Sequence, residues 1–409
     1  MSLDVEKTAA PAPLGKPVAV VTPGLLSDLA RFGATDVSAC FSCGTCTAVC
    51  PLVDNDATFP RRIIRYGQLG LRDELLSSKE LWTCYHCGLC TESCPQSADP
   101  AQYMAAARRY AIAGYDRTRL ARTLYTHPVV GAGVATVLAG VFALFLYAFH
   151  GERSTTSFQL FRFIPEGVVH WTGVAVMVLV ALAALSGIVT MVAGIARKEG
   201  VAWRDVWGRV GRGHGWSAVW SAGAVESLGQ RRYREDCAEA QTDREPLYRR
   251  RWFIHAMTMW GFTGLLLATM SDYALSVVGL RRTGTPEPIW YPVRLLGTVA
   301  GVMLVYGVTL MLVNRLGHLN RASRESAASD WLFLTLLWVV AVSGFLVELS
   351  LYVGTAPAWG YWIFLFHVSV ALDLLVLLPF MKFAHALYRP VALFFHSLAS
   401  QSTRVTTDA

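Results

Sequence analysis

Eight of the nine cysteines in this 409-residue chain fall in two runs of identical spacing, Cys40-x2-Cys43-x2-Cys46-x3-Cys50-Pro51 and Cys84-x2-Cys87-x2-Cys90-x3-Cys94-Pro95. Thiolates are soft ligands that suit iron in a sulfide cubane. In this spacing three of them sit on a tight loop around one 4Fe-4S cluster, and the fourth, ahead of a proline, reaches back to the other. The expected assignment is therefore crosswise. Cys40, Cys43, Cys46 and Cys94 hold cluster 1, and Cys84, Cys87, Cys90 and Cys50 hold cluster 2. Gly44, Thr45, Gly88 and Leu89 leave room for the backbone to wrap closely. Zinc and disulfides are the competing uses of such cysteines. Zinc sites usually bring them as separated pairs, and neither use explains the repeated proline. The ninth, Cys237, reads as an ordinary thiol.

The elements that must position these loops follow from composition. With 54% hydrophobic residues and a mean hydropathy of +0.39, the chain is too apolar to be wholly soluble. Residues 1–23 read as a flexible tail with no secretory signal, and 24–126 as a cytoplasmic, helical dicluster domain. Within it Pro60-Arg61-Arg62 opens a helix with proline in its first turn. Six apolar stretches of spanning length follow, at about 128–149, 168–195, 252–278, 292–313, 331–353 and 361–387. The expected fold is all-α: a ferredoxin-like dicluster domain, then a six-helix transmembrane cytochrome b bundle over 127–390, with a cytoplasmic tail at 391–409. The net charge of +7 reflects arginines gathered in the 196–251 and 314–330 connections. That is the positive-inside pattern for a cluster domain on the cytoplasmic side of a bacterial inner membrane, rather than a nucleic-acid surface. Trp203, Trp207, Trp216 and Trp220 in the long connection suggest a helix lying on the membrane.

Histidine inside a spanning helix is costly and is a functional candidate by default, with a packed, hydrogen-bonded histidine as the alternative. His367 and His385 are 18 residues apart. On one helix, at about 100° per residue, that spacing returns to the same face, and it separates them by roughly 27 Å. His170 belongs to the outer depth and His255 to the inner one. The pairs His170 with His367 and His255 with His385 would each suit a b-type haem held by two imidazoles. His127 and His150 flank the first span as interfacial residues, and either could stand in for an assigned ligand. His214, His318 and His396 lie outside the spans. Glu348 and Asp373 are intramembrane carboxylates suited to relaying quinol protons, although each could equally pair with a neighbouring hydroxyl or backbone group. Lys382 could snorkel or meet a haem propionate.

The segments Cys40-Phe-Ser-Cys-Gly-Thr-Cys-Thr-Ala-Val-Cys-Pro51, Pro60-Arg-Arg-Ile-Ile-Arg-Tyr-Gly-Gln-Leu-Gly-Leu71 and Cys84-Tyr-His-Cys-Gly-Leu-Cys-Thr-Glu-Ser-Cys-Pro95 resemble the C subunit of heterodisulfide reductases. The carboxy-terminal part, through His367 and His385, resembles cytochrome b subunits of the nitrate reductase gamma type. The fusion is similar to the C subunit family of quinone-interacting membrane-bound oxidoreductases. That resemblance implies a membrane electron-transfer protein linking menaquinol or menaquinone, through two b haems and two 4Fe-4S clusters, to cytoplasmic flavin and iron-sulfur partners resembling the A subunit of heterodisulfide reductases. No Cys-Cys-Gly repeat of the disulfide-cleaving component and no complete G-x-G-x-x-G occurs. Substrate and flavin chemistry are therefore expected on partners. Two other readings stay open: a membrane anchor with an iron-sulfur relay and no haem, and a part of a heterodisulfide reductase complex.

Overall fold

The computed structural model describes residues 19–53, 59–200, 214–235, 245–281, 287–319, 326–353 and 357–407. Among the described residues every regular element is a helix. Cys237, Trp203 and Trp207, most of the expected tail, and Arg204, Arg209, Arg212, Arg321 and Arg324 lie outside them.

The cysteine-bearing domain is a set of short helices: α1 (Leu25–Arg31), α2 (Thr45–Ala48), α3 (Arg61–Gln68), α4 (Arg72–Leu76), α5 (Leu89–Glu92), α6 (Pro100–Tyr115) and α7 (Leu120–Thr126). The helix expected after Pro60 stops at Gln68 and restarts at Arg72. Gly70, with φ +72°, makes the bend, and Leu69 between the two is left exposed. Asp99 caps α6 by accepting from the Gln102 N–H at 3.1 Å, with Pro100 at the first helical position. Asp116, in the turn ahead of α7, accepts from the Ala121 N–H in its first turn at 2.9 Å.

Six helices are long and apolar enough to cross a membrane: α8 (Pro128–Ala148), α10 (Glu166–Glu199), α13 (Arg251–Val277), α14 (Pro292–Leu316), α15 (Ala328–Tyr352) and α16 (Ala358–Leu377). Between them lie the short α9 (Leu160–Phe163), α11 (His214–Trp220), which continues as a π-helical stretch over Ser221–Leu228, and α12 (Arg231–Glu235). The chain is a multi-pass membrane protein with its cluster domain at one end of the bundle. Trp216 and Trp220 on α11 are 73% and 69% exposed.

The two parts share one core. Met191 and Ile195 of α10, with Ala384, Tyr388 and Ala392 near the carboxy terminus, are buried in the same cluster as Leu29, Ile63, Trp82 and Tyr103. The 34 residues of α10 span roughly 51 Å at 1.5 Å each, well beyond the roughly 30 Å of a hydrocarbon core. Its excess turns reach into the cluster domain. There Lys198 meets Glu74 at 3.2 Å and Glu199 meets Lys79 at 2.8 Å.

One expectation is corrected. His367 and His385 are not on a single straight helix. α16 ends at Leu377, residues Leu378–Phe380 form a 3-10 turn, Met381 is extended, and a second turn at Lys382–Ala384 leads into α17 (His385–Thr407). Pro379 is the cause, because proline removes a helical N–H and its ring clashes with the carbonyl four residues back. His385 therefore opens a new helix, and its facing direction does not follow from counting turns after His367. The segment read as a tail from 391 is the rest of α17, and Ala392, Leu393 and Leu398 are buried.

Candidate metal centres

The two cysteine loops have the same local backbone. Ser42 and His86 lie at φ +60° and +56°, and Gly44 and Gly88 at φ +95° and +92°. The one-turn helices α2 and α5 start directly after these glycines. In each loop an N–H two residues beyond the first cysteine points at its sulfur, Ser42 at Cys40 at 3.4 Å and His86 at Cys84 at 3.3 Å. Such N–H···S bonds stabilise thiolate and tune cluster potential.

The two runs lie close enough for thiols of one to feel those of the other. Burial raises the Cys46 thiol, and Cys40, Cys43 and Cys94 raise it further. Burial pushes Cys50 up to about 12, with Cys84 and Cys87 of the other run and Cys46 of its own adding to the shift. Cys90 is raised by burial and then by Cys84, Cys87, Cys50 and Cys46. Cys43, exposed, is instead lowered by the Thr45 hydroxyl. Several half-buried thiols crowded together are unfavourable as free thiolates, and iron coordination relieves that cost. Among the described residues no three such side chains close on one point as a single ion would require.

The imidazoles form a second candidate centre. His255, one turn into α13, and His385, at the head of α17, bring their rings to 6.2 Å between centroids. Metal–imidazole bonds of about 2 Å put the centroids of two imidazoles on opposite sides of one metal about 6 Å apart. The Nδ1 of His385 lies 2.6 Å from the Lys382 carbonyl, which can only accept. That nitrogen carries the proton, so Nε2 keeps its lone pair. The Nδ1 of His255 lies 3.2 Å from Oε1 of Gln230, giving the same tautomer. Metal-bound histidines characteristically have this outer hydrogen bond. Close by, Nη2 of Arg389 is buried with no hydrogen-bond partner, a cationic group that a haem propionate would satisfy. The residues present fit a haem.

The far-end pair is arranged differently. His367 turns Nδ1 toward the Ser343 hydroxyl at 2.9 Å. It packs on Gly344, where a Cβ would lie 3.2 Å from the ring. His170 stacks on Tyr273 at 4.7 Å, with Nε2 3.3 Å from that hydroxyl. No ring contact joins His170 to His367 among the described residues. His150 stacks on Tyr147 at 4.2 Å and His127 meets Thr126, both at span ends.

Residues 36–98 match the 4Fe-4S dicluster domain, and residues 123–406, well over half the chain, match citrate utilization protein B. The chain belongs to the citrate utilization protein B family. Among curated proteins, the iron-sulfur C subunit of the CoB-CoM heterodisulfide reductase of Methanopyrus kandleri is 50% identical over 46 residues, 11% of this chain and 24% of that protein. The C subunit of the H(2):CoB-CoM heterodisulfide,ferredoxin reductase of Methanothermobacter thermautotrophicus is 42% identical over 50 residues, 12% and 27% of the two chains. The E subunit of the dihydromethanophenazine:CoB-CoM heterodisulfide reductase of Methanosarcina thermophila is 24% identical over 155 residues, 35% and 57% of the two chains. The matches thus span about a quarter of the two C subunits and just over half of the E subunit. No solved structure matches. The resemblance to the C subunits holds, and this member of the citrate utilization protein B family fuses such a 4Fe-4S segment to a membrane domain.

The two carboxylates of this citrate utilization protein B relative part company. Glu348 is taken up by Arg294 at 3.0 Å and by the Thr298 hydroxyl at 3.1 Å. Asp373 is fully buried, and both of its oxygens lack a hydrogen-bond partner. Lys382 meets Asp330 at 3.0 Å, which Arg109 of the cluster domain also approaches at 3.7 Å. Sequence reasoning missed Asp330, Gln230 and Arg389. The spacings Arg251-x3-His255 and His385-x3-Arg389 were the available signal.

Proposed function

We propose that this protein is a membrane electron-transfer component, carrying electrons between a cytoplasmic flavin and iron-sulfur partner and the membrane quinone pool. Cys40, Cys43, Cys46 and Cys94 hold one 4Fe-4S cluster, and Cys84, Cys87, Cys90 and Cys50 hold the other. His255 and His385 hold a b-type haem. When bound, the haem accepts and passes on single electrons. The chain's own residues would orient it: Gln230 and the Lys382 carbonyl fix both imidazoles in the tautomer that leaves Nε2 available, Asp330 holds Lys382, and Arg389 would receive a propionate. The observation that carries the reading is the facing imidazole pair, each with its Nδ1 already bonded.

At the far end the same reading gives His170 and His367 to a second haem. His170 must then exchange the Tyr273 hydroxyl for iron, and that hydrogen bond favours the alternative of a single haem. Asp373, buried and unpartnered, is the better candidate for taking a proton from menaquinol or giving one to menaquinone, because Glu348 is already neutralised by Arg294. The relatives are named as subunits of heterodisulfide reductases, and the family is named for citrate utilization. Both support a place in a complex whose substrate chemistry lies on other chains. The cluster domain is assigned to the cytoplasmic side because the arginine-rich connections share its end of the bundle.

An absorption spectrum of the purified chain tests this. A reduced b-type α-band is expected, at two haems per chain or one, and it should be lost from the inner site in both His255→Ala and His385→Ala. A chain that binds its clusters but shows no such band leaves only the anchor reading.

A further inference from the structure

We infer that the second cysteine run, and not the first, exchanges electrons with the His255–His385 site, and that the side chains joining them are Tyr85 and Tyr233. This rests on the reading of those histidines as haem ligands.

Tyr85 stands between Cys84 and Cys87 and is 8% exposed. Its ring stacks on Tyr233 at 5.2 Å with only 9° between the planes. Tyr233 in turn meets His255 edge-on at 5.7 Å. The contact is clamped from both imidazole-bearing helices. Arg251, four residues before His255, donates to the His86 carbonyl at 3.1 Å. Arg389, four residues after His385, lays its guanidinium 3.9 Å over the Tyr85 ring. Residues four apart share a helix face, so each helix that offers an imidazole also grips the second loop one turn away. Arg108 secures the same loop by donating to the Cys84 carbonyl at 3.0 Å, and the Tyr85 hydroxyl donates to Glu226 at 3.0 Å. The first loop is held by its own domain, through Gln68 on the Cys40 carbonyl at 2.8 Å and Arg61 on that of Ser42 at 3.4 Å. The first run is thereby the distal one.

The step moves one electron. A cluster held by Cys84, Cys87, Cys90 and Cys50 would be oxidised by one unit and a haem held by His255 and His385 reduced by one, with no bond or proton changing hands. In the reverse direction the same balance holds.

The test uses the intact chain in detergent, loaded with its cofactors and mixed rapidly with a reduced soluble ferredoxin, which is too large to reach the half-buried imidazoles. Freeze-quench EPR follows the clusters and absorbance follows the haem. In Tyr233→Leu the equilibrium spectra are expected to stay native. Haem reduction slows by about tenfold, equivalent to about 1.4 kcal/mol of barrier, and the reduced signal of cluster 2 accumulates first. Tyr85→Leu behaves alike. Tyr233→Phe, which keeps the ring, stays within about twofold of native. Native haem reduction without cluster 2 build-up in both leucine variants overturns the inference. A native chain lacking the b-type band overturns the haem reading instead, and the two failures are told apart by that spectrum alone.

Discussion

The two cysteine loops are near copies in backbone and opposites in surroundings. Phe41 and Tyr85 occupy equivalent places, yet Phe41 is 76% exposed and Tyr85 8%. Ser42 and His86 share a left-handed conformation, and each has its carbonyl capped by an arginine. For Ser42 that arginine is Arg61, 19 residues along the same domain. For His86 it is Arg251, 165 residues away at the start of a membrane helix. Local geometry is set by the glycines and the ligand spacing, while the role of each loop is set by what packs against it. His86 shows the consequence directly: burial, followed by Arg108 and Arg251, holds its imidazole well below the ordinary range and keeps it neutral.

Four pairs of substitutions break or sharpen this contrast. The largest effect is expected where the loops depend on one another. Cys50→Ala and Cys94→Ala should each remove about four irons, and each should erase the EPR signal belonging to the other run. Iron and sulfide analysis with EPR checks this, and loss of the signal of the same run would undo the crosswise pairing. Next come the equivalent aromatics. Tyr85→Ala should lower stability by about 3 kcal/mol, because it empties a packed site, whereas Phe41→Ala should stay within about 0.5 kcal/mol. Protease resistance of the detergent-purified chain reports the difference. The carbonyl anchors follow: Arg251→Ala should cost about 2 kcal/mol and Arg61→Ala about half that, since a charged hydrogen bond counts for more where water is excluded. The smallest contrast lies between the glycines. Gly44→Ala and Gly88→Ala should each cost about 1–2 kcal/mol, from the same positive φ. Thermal unfolding of each variant would show the pair to be equal where the loops are locally alike.

Much of this was legible beforehand. The spacing of the cysteines placed the loops, the length of the apolar runs placed five spans within about four residues and overran the end of the sixth at Leu377, and the histidines that meet, His255 and His385, were paired from depth. That pairing leaned on one helix running through Pro379, which does not hold. The pair survives because the chain re-enters a helix at His385 with Tyr388 and Ala392 buried beneath it. Glu348 and Asp373 looked alike in sequence. Only the neighbours distinguish them, Arg294 and Thr298 for the first and apolar packing for the second. Asp330 gave no sign of its role, since an acidic residue in the first turn of a helix is ordinary. Its partners Arg109 and Lys382 come from distant parts of the chain.

The amino-acid sequence by itself determined the ligand chemistry, the doubled loop and the hydrophobic lengths, because these depend on residue type and on spacings within one turn or one span. The tertiary structure alone decided which loop meets the imidazoles, which nitrogen of each ring is left free, and which carboxylate is unpaired. The first rests on contacts between residues more than a hundred positions apart, Tyr85 with Tyr233 and His86 with Arg251, and the others on how separate helices and turns pack, as where Gln230 meets His255 and Arg294 meets Glu348.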